Sequence, residues 1–108
     1  MRNLALLLSA VGAMASGGPC AAQDPAAGRL KAVQCQACHG LDGMAKIPGA
    51  PNLAGQPKDY LVKAMTDYKT GARKNDMMSV VMQQMNDADI ELLAAYYAAI
   101  EVSVKPAQ

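Results

Sequence analysis

Cys35-Gln36-Ala37-Cys38-His39 sets two thiols three positions apart and follows them with the only histidine of the chain, and no other feature restricts folding as much. Two cysteines at that spacing near a helix end reach the vinyl groups along one edge of a porphyrin. The next residue then brings an imidazole beneath the metal, which is the attachment pattern of a c-type haem. Other uses of the pattern fit less well. A thioredoxin-like redox pair sits beside a βαβ pattern, and no strand pattern occurs in this sequence. A tetrahedral zinc site takes four protein ligands, whereas Cys35, Cys38 and His39 are the only residues of that class after residue 22. A structural disulfide accounts for the cysteines but leaves the histidine a coincidence. Haem attachment uses all three residues, with disulfide and zinc as the alternatives. The motif occurs once, so the expected cofactor is a single haem c, covalent through Cys35 and Cys38, with His39 on the metal.

A haem also answers a deficit in composition. The 108 residues are 52% hydrophobic, yet they include four Tyr, no Phe and no Trp. Large aromatics bury about 150–250 Å² each and supply much of an ordinary small core. Eight Met fill part of that space, but Met is flexible and specifies a core weakly. A one-domain chain of this size therefore needs another apolar mass or a staple. A net charge of +1 offers no basic stripe for nucleic acid.

Residues 1–22 read as a signal peptide. Met1-Arg2-Asn3 carries the positive charge, Leu4 to Ala15 is an apolar run of signal-peptide length, and Gly17-Gly18-Pro19 breaks it. Cleavage is expected before Gln23, after the small residues Cys20-Ala21-Ala22, which leaves residues 23–108 as the mature domain in the periplasm. A retained membrane anchor is the alternative. Lipidation of Cys20 is disfavoured because Pro19 precedes it. The mature chain has no run of 18 apolar residues, so no membrane span is expected in it.

The rest reads as three helices and loops. Asp24-Pro25 caps and opens a helix that runs to about Cys35. Residues 40–56 are rich in Gly and Pro and read as loop. Pro57 opens a second helix, with Tyr60, Leu61, Ala64, Met65 and Tyr68 as its apolar stripe, and Gly71 ends it. Met77 and Met78 then fall in a loop. Asn86 caps a third helix in a capping box with Asp89, and Met85 and Ile90 form its hydrophobic staple. Leu93, Tyr96, Tyr97 and Ile100 continue its buried face. The expected class is all-α, three main helices plus loops wrapped around one covalent haem.

These motifs, in this order over residues 24–101, resemble a class I cytochrome c of the small bacterial monohaem kind. The resemblance implies that Gly28 is the small residue where the first and last helices cross, with Leu93 and Tyr96 packing over it. It implies that Pro51, in Pro51-Asn52-Leu53-Ala54-Gly55-Gln56, accepts a hydrogen bond from His39 through its carbonyl, and that Leu53 packs on the haem beside Tyr60 and Tyr68. The family's aromatic on the first helix is absent here. The resemblance also places a methionine ligand in the loop before the last helix, eleven residues ahead of Asp89, which is Met78, with Met77 as the neighbouring alternative. Met44 is too near His39 to cross the haem, while Met65, Met82 and Met85 are expected to pack.

The implied function is one-electron transport between periplasmic redox partners, such as a membrane cytochrome complex, an oxidase or a dehydrogenase, by a monomer that is not an enzyme. Two other readings stand beside it: a haem subunit permanently docked in a dehydrogenase or oxidase complex, and a haem sensor or peroxidase if the sixth position on iron is open. Lys46, Lys58, Lys63, Lys69, Arg73 and Lys74 are candidates for steering an acidic partner, and Arg73 or Lys74 for neutralising a haem propionate.

Overall fold

A computed structural model describes residues 24–108, and the expected signal peptide and its cleavage site lie outside them. The chain folds as α1 (Pro25–Ala32), a 3₁₀ turn (Val33–Cys35), α2 (Gln36–His39), α3 (Lys58–Thr70), α4 (Asp76–Gln83) and α5 (Asp87–Ala98). Among the described residues there is no strand, and the class is all-α. The boundaries follow from local chemistry. Asp24 accepts the Ala26 N–H and Pro25 takes the first helical position, where its missing N–H costs nothing. Gly71 closes α3 in the left-handed region at φ 84°, a conformation that glycine adopts without steric penalty. Asn86 and Asp89 form the reciprocal capping box, at 2.8 and 3.2 Å.

One expectation about the elements is corrected. The stretch holding Met77 and Met78 is not a loop but the first turn of α4. Asn75 caps it, and Met78, Val81, Met82 and Met85 then recur at helical spacing. The first expected helix also continues past Cys35, through the 3₁₀ turn and α2, to His39.

The helices α1 and α5 cross at Gly28. A Cβ built there would lie 2.1 Å from the Leu92 carbonyl oxygen and 2.7 Å from Tyr96 Cβ, so only glycine permits the approach. The nearest neighbours of Gly28 are therefore the backbone of Leu92 and the expected Tyr96 side chain. Leu93 lies in the core with Ala32, Leu61, Met82, Ile90 and Tyr97, all nearly inaccessible to solvent. Lys31 ties α1 to the start of α5 through Asp89 at 2.6 Å. That contact, and then the Asn86 N–H, hold the Asp89 carboxyl below its ordinary range against the opposing effect of burial.

Candidate functional site

The run from α1 through α2 delivers Cys35, Cys38 and His39 to one wall of a cavity of about 490 Å³. Gly40 breaks α2 immediately after the histidine. Both cysteines are unpaired and half-buried, and His39 is buried. Burial, and then the neighbouring Cys38, push the Cys35 thiol above its usual range, so the neutral thiol is the favoured state. Among the described residues no group of three or more Cys, His, Asp or Glu side chains is arranged to hold a metal ion, so the zinc alternative has no ligand set there.

His39 is fixed by its second nitrogen. Nδ1 lies 2.9 Å from the Pro51 carbonyl oxygen. A carbonyl only accepts, so Nδ1 carries a proton, and in the neutral ring the free lone pair is then on Nε2. The loop that presents Pro51 is itself held on several sides. The Leu53 and Ala54 N–H groups both donate to the Gly43 carbonyl, at 2.7 and 3.1 Å, and the Gly55 N–H donates to the Tyr97 carbonyl at 2.9 Å. Asn52 Oδ1 accepts from the Ala45 N–H at 2.7 Å. Tyr97 donates its hydroxyl to the Gly40 carbonyl at 3.2 Å, and Tyr96 donates to Leu41. Burial pushes the Tyr97 hydroxyl far above its usual value, so it remains a donor at any physiological pH. These two hydroxyl contacts bind α5 to the backbone just after His39. The periodicity of the last helix places both tyrosines on its buried face, but nothing in the sequence signals where their hydroxyls go.

The remaining wall comes from α3, α4 and the connecting segments. All five residues of the α3 stripe, Tyr60, Leu61, Ala64, Met65 and Tyr68, border the cavity, as does Leu53. Tyr60 is not a core residue, however, because 51% of its surface is exposed and it stands at the margin. Met78 borders the cavity, half-buried against the core cluster. Met77 also reaches it but is 64% exposed. Met82 and Met85 are buried, and Met44 is outside the lining. Arg73 borders the cavity with its guanidinium 4.8 Å from the Tyr68 ring centre, whereas Lys74 does not.

Three further residues contribute to the site that were not expected from the sequence. Asn75 caps α4 at the cavity edge; the signal was an Asn immediately ahead of a helical Met and Val pattern. Gln34 borders the cavity and its amide contacts Met85 sulfur at 3.6 Å. Gln56 borders it as well, tied to the Asn52 carbonyl. The steering lysines are less available than expected. Lys46 pairs with Asp42, Lys58 with Glu91, Lys63 with Asp67 and Lys69 with Asp87, so four of the six candidate charges have a carboxylate against them.

The arrangement fits a haem. Two thiols and a buried imidazole with a free Nε2 share an apolar cavity of the size range of cofactor sites. Comparison with known proteins agrees. A Cytochrome c family model matches residues 26–99. Cytochrome c4 of Pseudomonas aeruginosa is 45% identical over 84 residues, covering 78% of this chain and 42% of that protein. Cytochrome c-554(548) of Halomonas halodenitrificans is 42% identical over 83 residues, covering 74% of this chain and 100% of that protein. Reduced recombinant cytochrome c4 from Pseudomonas stutzeri superposes with a TM-score of 0.68 at 38% identity, over 75% of this chain and 47% of that one. The chain thus spans less than half the length of the cytochrome c4 relatives it matches, and the full length of a shorter one.

Proposed function

The chain belongs to the cytochrome c family and carries haem c bonded through Cys35 and Cys38, and on that premise we propose that it is a periplasmic one-electron carrier with His39 and Met78 as the axial ligands of the iron. When bound, haem supplies the exchange of a single electron between Fe(III) and Fe(II). The residues of this chain tune and protect that exchange. The Pro51 carbonyl holds the His39 ring in one tautomer and one orientation, which raises the basicity of Nε2. The Met78 thioether is a soft donor that favours Fe(II). Leu61, Met82 and Leu93 exclude water, and a dry site disfavours the extra charge of Fe(III).

The observation that supports this reading best is that Cys35, Cys38, His39 and Met78 border one cavity although Met78 is 39 residues beyond His39 in the sequence. Arg73, at the margin of the same cavity, is the residue to which we assign the neutralisation of a haem propionate, in preference to Lys74. Partners are redox proteins that approach the edge carrying Cys35 and Cys38. With four of the lysines paired to carboxylates, steering by positive charge contributes little to that approach. Periplasmic location rests on the signal-peptide pattern of residues 1–22.

The test is Met78→Ala in the haem-loaded protein. Losing the thioether opens the sixth position, so the reduced variant binds carbon monoxide while the parent does not. Axial identity spans haem potentials over roughly 0.8 V, so the potential falls by an order of a few tenths of a volt. Met77→Ala is the control and keeps both properties. If Met77→Ala opens the haem and Met78→Ala does not, Met77 is the ligand. Carbon monoxide binding by the unaltered protein would replace the carrier reading with a sensor or peroxidase.

A further inference from the structure

Asn75 holds the first turn of α4 at four points. Its Oδ1 accepts the Met77 N–H at 3.1 Å and the Met78 N–H at 3.0 Å. Its own N–H donates to Ser79 Oγ at 3.1 Å, and its carbonyl accepts the Ser79 N–H at 2.9 Å. The backbone is extended at Asn75 (φ −158°, ψ 136°), so the chain turns into the helix at this residue, which also borders the cavity. α4 has only eight residues, well under the length at which a helix stands unaided in water. Its opening turn therefore depends on the cap and on packing, and Met77 and Met78 lie within that turn.

Taking Met78 as the thioether ligand proposed above, we infer that Asn75 is the positioning residue that presents Met78, and not Met77, to the haem iron. Side chains of successive helical residues point about 100° apart. Both residues border the cavity, but Met78 is half-buried against the core and Met77 is 64% exposed, so the rotation of this one turn decides which sulfur is held inward. The cap fixes that rotation by binding the backbone N–H groups of both residues at once. Without it the turn frays, and the thioether leaves the iron more often.

Imidazole binding to the oxidised, haem-loaded protein reads the fraction of time the thioether is away, because imidazole competes with sulfur for the iron. Asn75→Ala is expected to tighten apparent imidazole binding by about 5- to 30-fold, the typical to upper part of the range set by loss of an N-cap. Asn75→Ser restores a neutral cap and should return the affinity to that of the parent. Asp24→Ala removes a cap of the same kind from α1, outside the cavity lining, and should leave it unchanged. Affinity within twofold of the parent in Asn75→Ala, or an equal gain in Asp24→Ala, overturns the inference. If Asn75→Ala does not fold, Ser79→Ala removes one of the four contacts; a smaller gain in the same direction is expected, and no gain overturns the inference. Met78→Ala separates the two levels. If it leaves imidazole binding as in the parent, the ligand assignment fails; if it tightens binding while the Asn75 and Ser79 variants do not, the ligand stands and the positioning role falls.

Discussion

Pro51 acts through an atom that every residue possesses, its carbonyl oxygen, 2.9 Å from His39 Nδ1. What proline adds is a fixed φ and a smaller conformational entropy in the unfolded chain. Pro51→Ala therefore keeps an acceptor near the imidazole but holds it less firmly. The expected result is retained covalent haem, a shifted potential, and a loss of stability of about 0.4–1 kcal/mol. Potentiometric titration and thermal unfolding of the haem-loaded variant check this; no change in either would reduce Pro51 to an ordinary turn residue. The same scale explains why Arg73 and Lys74 were indistinguishable in sequence. They are adjacent cations on one segment, and only the Tyr68 ring, which sits under the guanidinium, selects Arg73 for the cavity margin.

Two contacts between elements set the frame in which the haem motif sits. One is the crossing of α1 and α5 at Gly28, which has no room for a side chain. Gly28→Ala would place a methyl carbon 2.1 Å from the backbone oxygen of Leu92, an atom that cannot swing aside as a side-chain end can. The helices must separate, and overpacking of this kind costs about 1–3 kcal/mol. A denaturant midpoint lowered accordingly, with the haem still attached, is the expected outcome; a midpoint equal to the parent's would mean that the crossing is loose. The second contact is the pair of tyrosine hydroxyls that join α5 to Gly40 and Leu41. Through them the last helix holds the turn just beyond His39.

At the scale of the whole molecule, the cavity is where the fold's missing aromatic mass belongs. The buried core without haem is small, built from Ala32, Leu61, Met82, Met85, Ile90, Leu93, Ala94 and Tyr97. A domain this small buries too little apolar surface of its own to hold together the walls of a cavity of about 490 Å³ without the group that fills it. The double variant Cys35→Ala, Cys38→Ala is therefore expected to accumulate as unfolded, degraded chain. Far-ultraviolet circular dichroism is the measurement, and helicity equal to that of the parent would show that the core stands without its cofactor.

The haem attachment residues, the all-α class, the caps at Asp24 and Asn86 and the glycine stop at Gly71 were all legible in the sequence, because each depends on contacts within a few residues. A porphyrin edge demands two thiols at fixed spacing, and a helix terminus demands a particular donor or acceptor, whatever the rest of the chain does. Other features depended on what lies across the fold. The segment holding Met77 and Met78 became α4 through a cap at Asn75 and burial of Met82 against the core. The backbone of Leu92 meets Gly28, because the angle of the helix crossing, and not the periodicity of α5, decides which backbone atoms approach the glycine. The four lysines found carboxylates, two of them on their own helix turn or loop and two on α5 or its first turn. Local chemistry is written in neighbouring residues; the side of a helix that meets another element, and the partner that a hydroxyl or an ammonium reaches, are settled only when distant segments pack.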